Sequence, residues 1–192
     1  EATSLLGDRV APEHARALAA STEGWGAGLR LAAISLDRAE DPEAAVRAFT
    51  GTHRHLADFF AGEVLDRLPE ELGAFLAETS ILDRLCGPLC DAVIGREGAA
   101  EQLERLERMG LFTIPLDAER RWFRYHHLFS EFLRGRLGER APELHRRAAA
   151  WFEAEGLALE AVPHAIAAGE HDGAAALVEK VGHALVLAGE TA

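Results

Sequence analysis

A chain of 192 residues has the length of one large domain or two small ones. Hydrophobic residues make up 48% of it and charged residues 27%, a composition that excludes an intrinsically disordered protein. The formal net charge of −12 argues against a nucleic-acid-binding protein, because phosphate contact depends on clustered cations. Arg134, Arg136 and Arg140 form a local basic cluster in the sequence, so the charge alone does not exclude such a role.

The first third of the chain is predicted to be helical. Proline and glycine punctuation delimits a helix over 12–22, and a nearly continuous apolar run predicts a buried helix over 24–36. Asp41, followed by proline and an acid, marks the start of another helix. An apolar stripe at helical spacing predicts a helix over 53–68. We therefore expect a helical arm over 1–68, which includes the end of any nucleotide-binding module upstream.

Three shorter helices are predicted next. Their bounds are 70–79, 88–94 and 99–109, and proline stands at the start of the first two. The apolar positions of each repeat at helical spacing. In the third helix the residues expected to face inward are Leu103, Leu106 and Met109.

Two cysteines, Cys86 and Cys90, lie four residues apart in an apolar context, which would place both on one face of a helix. A structural zinc site needs four ligands, and no histidine lies near them in the sequence. We expect two buried, reduced thiols rather than a metal site or a disulfide. This expectation, with no apolar run approaching the ~20 residues of a membrane span, favours a cytoplasmic protein without membrane contact.

The periodicity changes after the third short helix. Aromatic and β-branched runs at 111–116 and 122–125 flank a polar turn and predict a β-hairpin. A helix is then expected from His126 to about Leu137. Three helices, a hairpin and a following helix are the order of a winged-helix domain, which we assign to 69–140.

The last segment, 141–192, is predicted to form short helices with small and large apolar residues. Gly156, Gly169 and Gly182 punctuate it at regular intervals. This texture is typical of a tetratricopeptide-like helical repeat array, which needs about three repeats to bury its faces. The fold class is therefore mainly α: a helical arm, a winged helix with one β-hairpin, and the start of a repeat array.

The sequence contains no motif that would support catalysis. It has neither a Gly-x-x-x-x-Gly-Lys-Ser/Thr phosphate loop nor a Gly-x-Gly-x-x-Gly fingerprint, and no Gly-x-Ser-x-Gly elbow. Its many carboxylates have the spacing of solvated helix faces. We expect no enzyme activity and no bound cofactor in this chain by itself.

The charge of the predicted third helix bears on whether the winged-helix domain binds DNA. In a DNA-binding winged helix this element enters the major groove. Here it carries Glu101, Glu104 and Glu107, opposed by Arg105 and Arg108. Three carboxylates would repel the phosphates of DNA, so we expect this helix to contact something other than DNA. An autonomous DNA-binding domain and a protein-interaction scaffold of helical repeats remain the alternatives.

The stretch 50–137, from Thr-Gly-Thr-His-Arg-His to Phe-Leu-Arg-Gly-Arg-Leu, closely resembles the MalT-like large ATP-binding regulators of the LuxR type. These belong to the signal-transduction ATPases with numerous domains. Residues 22–32 resemble the end of that family's nucleotide-binding module, and residues 142–192 resemble the entry to its helical-repeat sensor. We therefore expect the chain to be a central segment of a longer protein.

The resemblance implies a switch. In such proteins the winged helix folds onto the nucleotide-binding module and helps to hold ADP at rest. Inducer binding to the repeat domain lets ATP replace ADP, after which the protein self-associates and activates transcription. The expected partners are thus the protein's own nucleotide-binding module and repeat domain and further copies of itself. DNA would be bound only through a C-terminal helix-turn-helix outside this chain.

The resemblance also assigns nucleotide-contacting residues. The Tyr-His-His-Leu-Phe run places His126 where the family contacts a nucleotide phosphate, and His127 follows it at a position where relatives often carry proline. Gly24, Trp25 and Gly26 correspond to a Gly-x-Pro turn that touches the nucleotide in related ATPases. Gly26 replaces that proline, and Trp25 is more typical of a core anchor than of an adenine stack.

Overall fold

The structure is a computed structural model that describes the backbone of residues 65–189. The chain divides into two compact units, 1–68 and 69–192. The helices expected over 12–22 and 24–36 and after Asp41 lie outside the described residues. So does the helix expected over 53–68, except for its end, where Leu65–Arg67 form a short 3-10 turn.

The second unit is mainly helical with one small antiparallel sheet, and its element order confirms the predicted winged helix. The helices expected in this region all form, with ends that differ from the prediction by a few residues. In chain order the elements are α1 Glu70–Thr79, α2 Gly87–Ile94, α3 Ala99–Arg108, β1 Thr113–Pro115, β2 Phe123–Tyr125, α4 His127–Arg134, a 3-10 turn Gly138–Arg140, α5 Ala141–Ala154, α6 Ala158–Ala167 and α7 His171–Gly189.

The sheet of the wing pairs with one further residue that the sequence pattern did not predict. β1 and β2 pair antiparallel, with Thr113 opposite Tyr125. Leu85 then adds an isolated bridge to Phe123. Its N–H donates to the Phe123 carbonyl at 2.7 Å, and the Phe123 N–H donates back at 2.9 Å. A single paired residue has no periodicity, so only the tertiary structure could show it.

The core of the winged helix is formed by the apolar faces of its helices and by two aromatic residues of the wing, Phe123 and Tyr125. Leu103 and Leu106 of α3 are fully buried, as predicted. Met109 was predicted to face inward and this is wrong, because the helix ends at Arg108 and Met109 is 47% exposed. Each large apolar side chain buried here contributes about 1.5–3 kcal/mol. The fully buried large side chains are Phe75, Leu76, Leu82, Leu85, Leu89, Leu103, Leu106, Phe129 and Leu133.

Helices α5, α6 and α7 form successive antiparallel hairpins at the end of the described chain. α5 packs on α6 and on α2 of the winged helix, and α6 packs on α7. Gly156 and Gly169 end helices with φ values of 75° and 81°, a left-handed conformation that glycine adopts without a steric cost. Gly182 was predicted to punctuate the segment in the same way and this is wrong, because it lies inside α7.

Both cysteines are buried and free, as predicted. They do not lie on one helix face, because Cys86 is in an extended conformation before α2 and only Cys90 is within the helix. Burial raises the pKa of both thiols, which keeps them protonated. Among residues 65–182 no cluster of His, Cys, Asp and Glu has the geometry of a metal site. No described helix combines the length and apolar character needed to cross a bilayer.

Candidate functional site

His126 stands at the junction between the wing and helix α4. It follows β2 directly and is the N-cap residue of α4, with φ −59° and ψ 133°. Its N–H donates to the Phe112 carbonyl at 2.8 Å, and its carbonyl accepts the Ser130 N–H at 3.0 Å. The backbone of His126 is therefore held from both the sheet side and the helix side.

The two adjacent histidines differ in their exposure. The side chain of His126 is buried, with 4% of its surface exposed, whereas His127 is exposed. Their rings stack with centroids 4.8 Å apart and an interplanar angle of 24°. A group bound at this end of α4 would meet His127 at the surface and His126 beneath it.

The backbone beside His126 is strained. Phe112, whose carbonyl accepts the His126 N–H, has a φ of 52°, a conformation that bulky side chains rarely adopt. Its ring lies 4.6 Å from the ring of Phe129, which is buried in α4. Packing against Phe129 stabilises the turn from α3 into β1, and such strain is concentrated at functional sites.

A polar groove of about 430 Å³ lies along α4 beside His127. It is lined by two arginines and a histidine, opposed by two carboxylates. The side chains are Leu82, Asp83, Arg124, Tyr125, His127, Ser130, Glu131 and Arg134. Arg134 is anchored at two points, because its Nε donates to the Ser80 carbonyl at 2.6 Å and its Nη2 donates to Asp83 at 2.9 Å.

This arrangement has the chemistry to bind an anion. The first N–H groups of an α-helix have no acceptor within the helix, and the helix dipole adds a positive potential there. Imidazole and guanidinium groups beside such a terminus suit phosphate oxygens. The resemblance named His126 and His127, and the structure adds Arg124, two residues before His126, to the side chains that line the groove with His127.

The other predicted nucleotide contacts, Gly24, Trp25 and Gly26, lie outside the described residues. Of the predicted nucleotide contacts, the described segment contains the two histidines at the start of α4. Their assignment to a nucleotide remains a prediction.

Helix α3 and the wing differ from a nucleic-acid interface in their charge. Glu101 and Glu104 are exposed on α3. Glu107 forms an ion pair with Arg120 of the wing at 3.4 Å. The guanidinium of Arg120 therefore already faces a carboxylate and is less available to a phosphate. Because Arg105 and Arg108 are also exposed on α3, this surface carries mixed charge without the excess of cations that phosphate binding requires.

Comparison with known proteins identifies the winged-helix domain. Residues 61–145 match the family model described as the MalT winged helix domain. This range covers α1 through the beginning of α5, and therefore includes the histidine pair and the groove.

Two kinds of curated relatives contain this segment. The serine/threonine-protein kinase PknK of Mycobacterium tuberculosis H37Rv is 41% identical over 188 residues, 94% of this chain and 17% of that protein. The HTH-type transcriptional regulator MalT of Klebsiella pneumoniae is 39% identical over 153 residues, 77% of this chain and 17% of that protein. The MalT of Cronobacter sakazakii is 33% identical over 171 residues, 86% of this chain and 19% of that protein.

The chain thus spans about a sixth to a fifth of the length of these relatives. A winged-helix domain is not itself a catalytic domain, and the similarity to PknK is confined to 17% of that kinase. The matched domain, its observed element order and the identity to MalT of two bacteria agree with one another. These findings identify a MalT-like segment, whose residues 61–145 form the MalT winged-helix domain.

Proposed function

We propose that this chain is the coupling segment of an ATP-dependent transcriptional regulator. In this proposal the start of α4 helps to hold ADP in the resting state of the longer protein, with His126 as the main contact and His127 and Arg124 beside it. The carrying observation is the His126–His127 stack at the N-terminus of α4, next to a groove lined by two arginines and two carboxylates.

The chemistry of the site supports an anionic ligand. A hydrogen bond to a charged group is worth about 1.5–3 kcal/mol net, more than a neutral one. The His126 side chain lies beneath the surface, so its contact with a phosphate requires an oxygen that enters past His127. Burial of this kind strengthens the bond, because the local dielectric constant is low.

The partners of the segment follow from the same proposal. The nucleotide would be supplied by the protein's own nucleotide-binding module, since the chain has no phosphate loop. The hairpins α5–α7 would belong to a tetratricopeptide-like sensor that receives the inducer. Nucleotide exchange would then permit self-association in the cytoplasm, and a separate helix-turn-helix would bind DNA.

A second candidate function follows from the similarity to PknK. The identity of 41% over 94% of this chain supports a role in a regulated serine/threonine kinase, with the same segment controlling a kinase domain instead of a DNA-binding domain. The two candidates share the nucleotide-dependent switch and differ in the output domain. The sequence on either side of this segment in its gene distinguishes them.

The experiment that tests the proposal is ADP release from the longer protein. We expect His126→Ala to accelerate dissociation of a fluorescent ADP by about 10- to 150-fold, because a bond of about 1.5–3 kcal/mol is lost and 1.4 kcal/mol corresponds to tenfold. Transcription or kinase output without inducer should rise accordingly. Stopped-flow displacement by unlabelled ADP measures the rate.

The matched control is His127→Ala, which removes an exposed imidazole from the same helix turn. It should change the rate several-fold less. A thermal melt of both variants detects any loss of folding, since His126 is buried. Unchanged ADP release in a folded His126→Ala protein, or an effect of His127→Ala alone, would remove His126 from the switch.

A further inference from the structure

The loop between α1 and α2, residues 80–85, contacts three separate parts of the second unit. Toward α4, the Ser80 carbonyl accepts a bond from Arg134, and Asp83 pairs with the same guanidinium. Arg134 is the last residue of α4. The loop is therefore attached to the far end of the helix whose first turn carries the histidine pair.

Toward the helical hairpins, the contact is made by Arg84. Its Nη2 donates to Glu160 Oε1 of α6 at 3.0 Å. The same guanidinium lies over the Trp122 ring, 4.6 Å from the centroid. Trp122 stands immediately before β2, and its carbonyl accepts the Leu116 N–H at 2.8 Å to close the wing. One side chain thus bridges α6 and the wing.

Toward the sheet, the next residue of the loop completes the connection. Leu85 exchanges two backbone hydrogen bonds with Phe123 of β2, and Leu85 is fully buried. β2 continues through Tyr125 into His126. Because Leu85 is bonded to both the N–H and the carbonyl of Phe123, a displacement of the loop acts directly on the strand that leads into His126.

Arg84 gives helix α6 a direct polar contact with the wing. The extensive packing of the hairpins on the winged helix is made by α5 against α2. Among the described residues, the hydrogen bond of α6 to the 80–85 loop is the one between Glu160 and Arg84. A change in the tilt of α6 on α5 would therefore reach the wing through this side chain.

We propose that Arg84 couples helix α6 to the strand that leads into His126, and so links the repeat segment to the nucleotide-contacting end of α4. The coupling is a regulation of the site in the proposed function and rests on it. Arginine suits the position, since its planar group stacks on Trp122 while it donates to Glu160, and lysine cannot do both as well.

The size of the coupling is modest. Both members of the ion pair are 40% exposed, so solvent weakens it. The stacking on Trp122 adds to it. Mutations along coupling networks typically change an equilibrium by about 2- to 30-fold. We expect a change near the lower end of that range.

Hydrogen–deuterium exchange of the 192-residue chain tests the coupling without any nucleotide. In Glu160→Gln we expect the amides of β2 and the first turn of α4 to exchange about 2- to 10-fold faster. Glu160 belongs to α6, so an effect at 123–130 must pass through a contact. In Arg84→Met the same amides should lose protection, and adding Glu160→Gln should then change nothing further. Arg84→Lys should give an intermediate rate.

The matched control is the pair Arg146–Glu170, at 2.7 Å and with exposures of 48% and 44%. It joins α5 to the residue before α7 and does not touch the 80–85 loop. Glu170→Gln should leave exchange at 123–130 unchanged. All of these side chains are partly exposed, so the variants are expected to fold, and a melting curve verifies it.

The proposal is overturned if Glu160→Gln changes exchange only within α6, if its effect persists in the Arg84→Met background, or if Glu170→Gln produces the same effect. These outcomes leave the proposed ADP contact of His126 untouched. Conversely, unchanged ADP release in His126→Ala would refute the proposed function while the exchange data could still establish the link from α6 to β2.

Discussion

Tyr125 illustrates how one side chain fixes the position of the candidate site. Its hydroxyl lies 2.8 Å from Thr79 Oγ1, and Thr79 in turn donates to the Phe75 carbonyl at 2.7 Å. Since Thr79 has one hydroxyl proton, Tyr125 is the donor of the first bond. Burial raises the pKa of Tyr125, so the phenol stays protonated and able to donate. The residue before His126 is thus bonded to the end of α1.

We expect Tyr125→Phe to lower the free energy of unfolding by about 1 kcal/mol, because a buried hydrogen bond is lost while the ring is retained. Urea unfolding followed by circular dichroism measures the change. Combining it with Thr79→Val in a double-mutant cycle isolates the pair. Strictly additive effects of the two substitutions would show that the two hydroxyl groups do not interact.

Among the helices, a histidine of α5 and a histidine of α6 form a half-buried contact. His145 Nδ1 and His164 Nδ1 are 2.8 Å apart, and His164 stacks on Phe152 of α5. One nitrogen must donate and the other accept, so the contact exists only while at least one ring is neutral. Arg134 and Asp83 are the charged groups that face the pair from the winged helix.

Stability should therefore depend on pH through His164. Burial, and next the field of His145, lower its pKa from 6.5 to about 4. As the pH falls, the unfolded chain takes up this proton first. The stabilisation present above pH 6.5 is hence lost progressively toward pH 4.

When the pH is lowered from about 7 to about 5, we expect the free energy of unfolding to fall less in His164→Gln than in the unmodified chain. The difference should be about 1 kcal/mol after allowance for partial exposure. Urea unfolding at both pH values provides the comparison. His171→Gln, at an exposed position, is the control and should behave like the unmodified chain. Parallel pH profiles for His164→Gln and the unmodified chain would contradict this assignment.

For the whole molecule, both the net charge of −12 and the carboxylates of α3 disfavour DNA binding. We expect the 192-residue chain to show no sequence-dependent binding to duplex DNA. Fluorescence anisotropy at about 100 mM salt tests this, since specific binders typically reach about 10⁻⁸ M. Sub-micromolar, sequence-dependent binding would contradict the expectation and favour the autonomous DNA-binding alternative.

The order of helices and strands in the winged-helix domain could be predicted from the sequence. Local signals were sufficient for this, because proline starts, helical apolar spacing and the change to aromatic and β-branched residues at the wing are properties of neighbouring residues. The apolar spacing was wrong at Met109, where the helix ended earlier, and the glycine punctuation was wrong at Gly182, where the helix continued. Both errors concern ends, which depend on the packing of the next element.

The surroundings of the histidine pair could be seen only in the tertiary structure. The sequence could align His126 and His127 with a family motif, but it could not show that one is buried and the other exposed. Nor could it show that Leu85 bonds to Phe123, or that Arg84 lies between Trp122 and Glu160. These contacts join residues far apart in the chain, and single paired residues leave no periodic signal. They arise because compact packing brings a short loop against a strand and two helices at once.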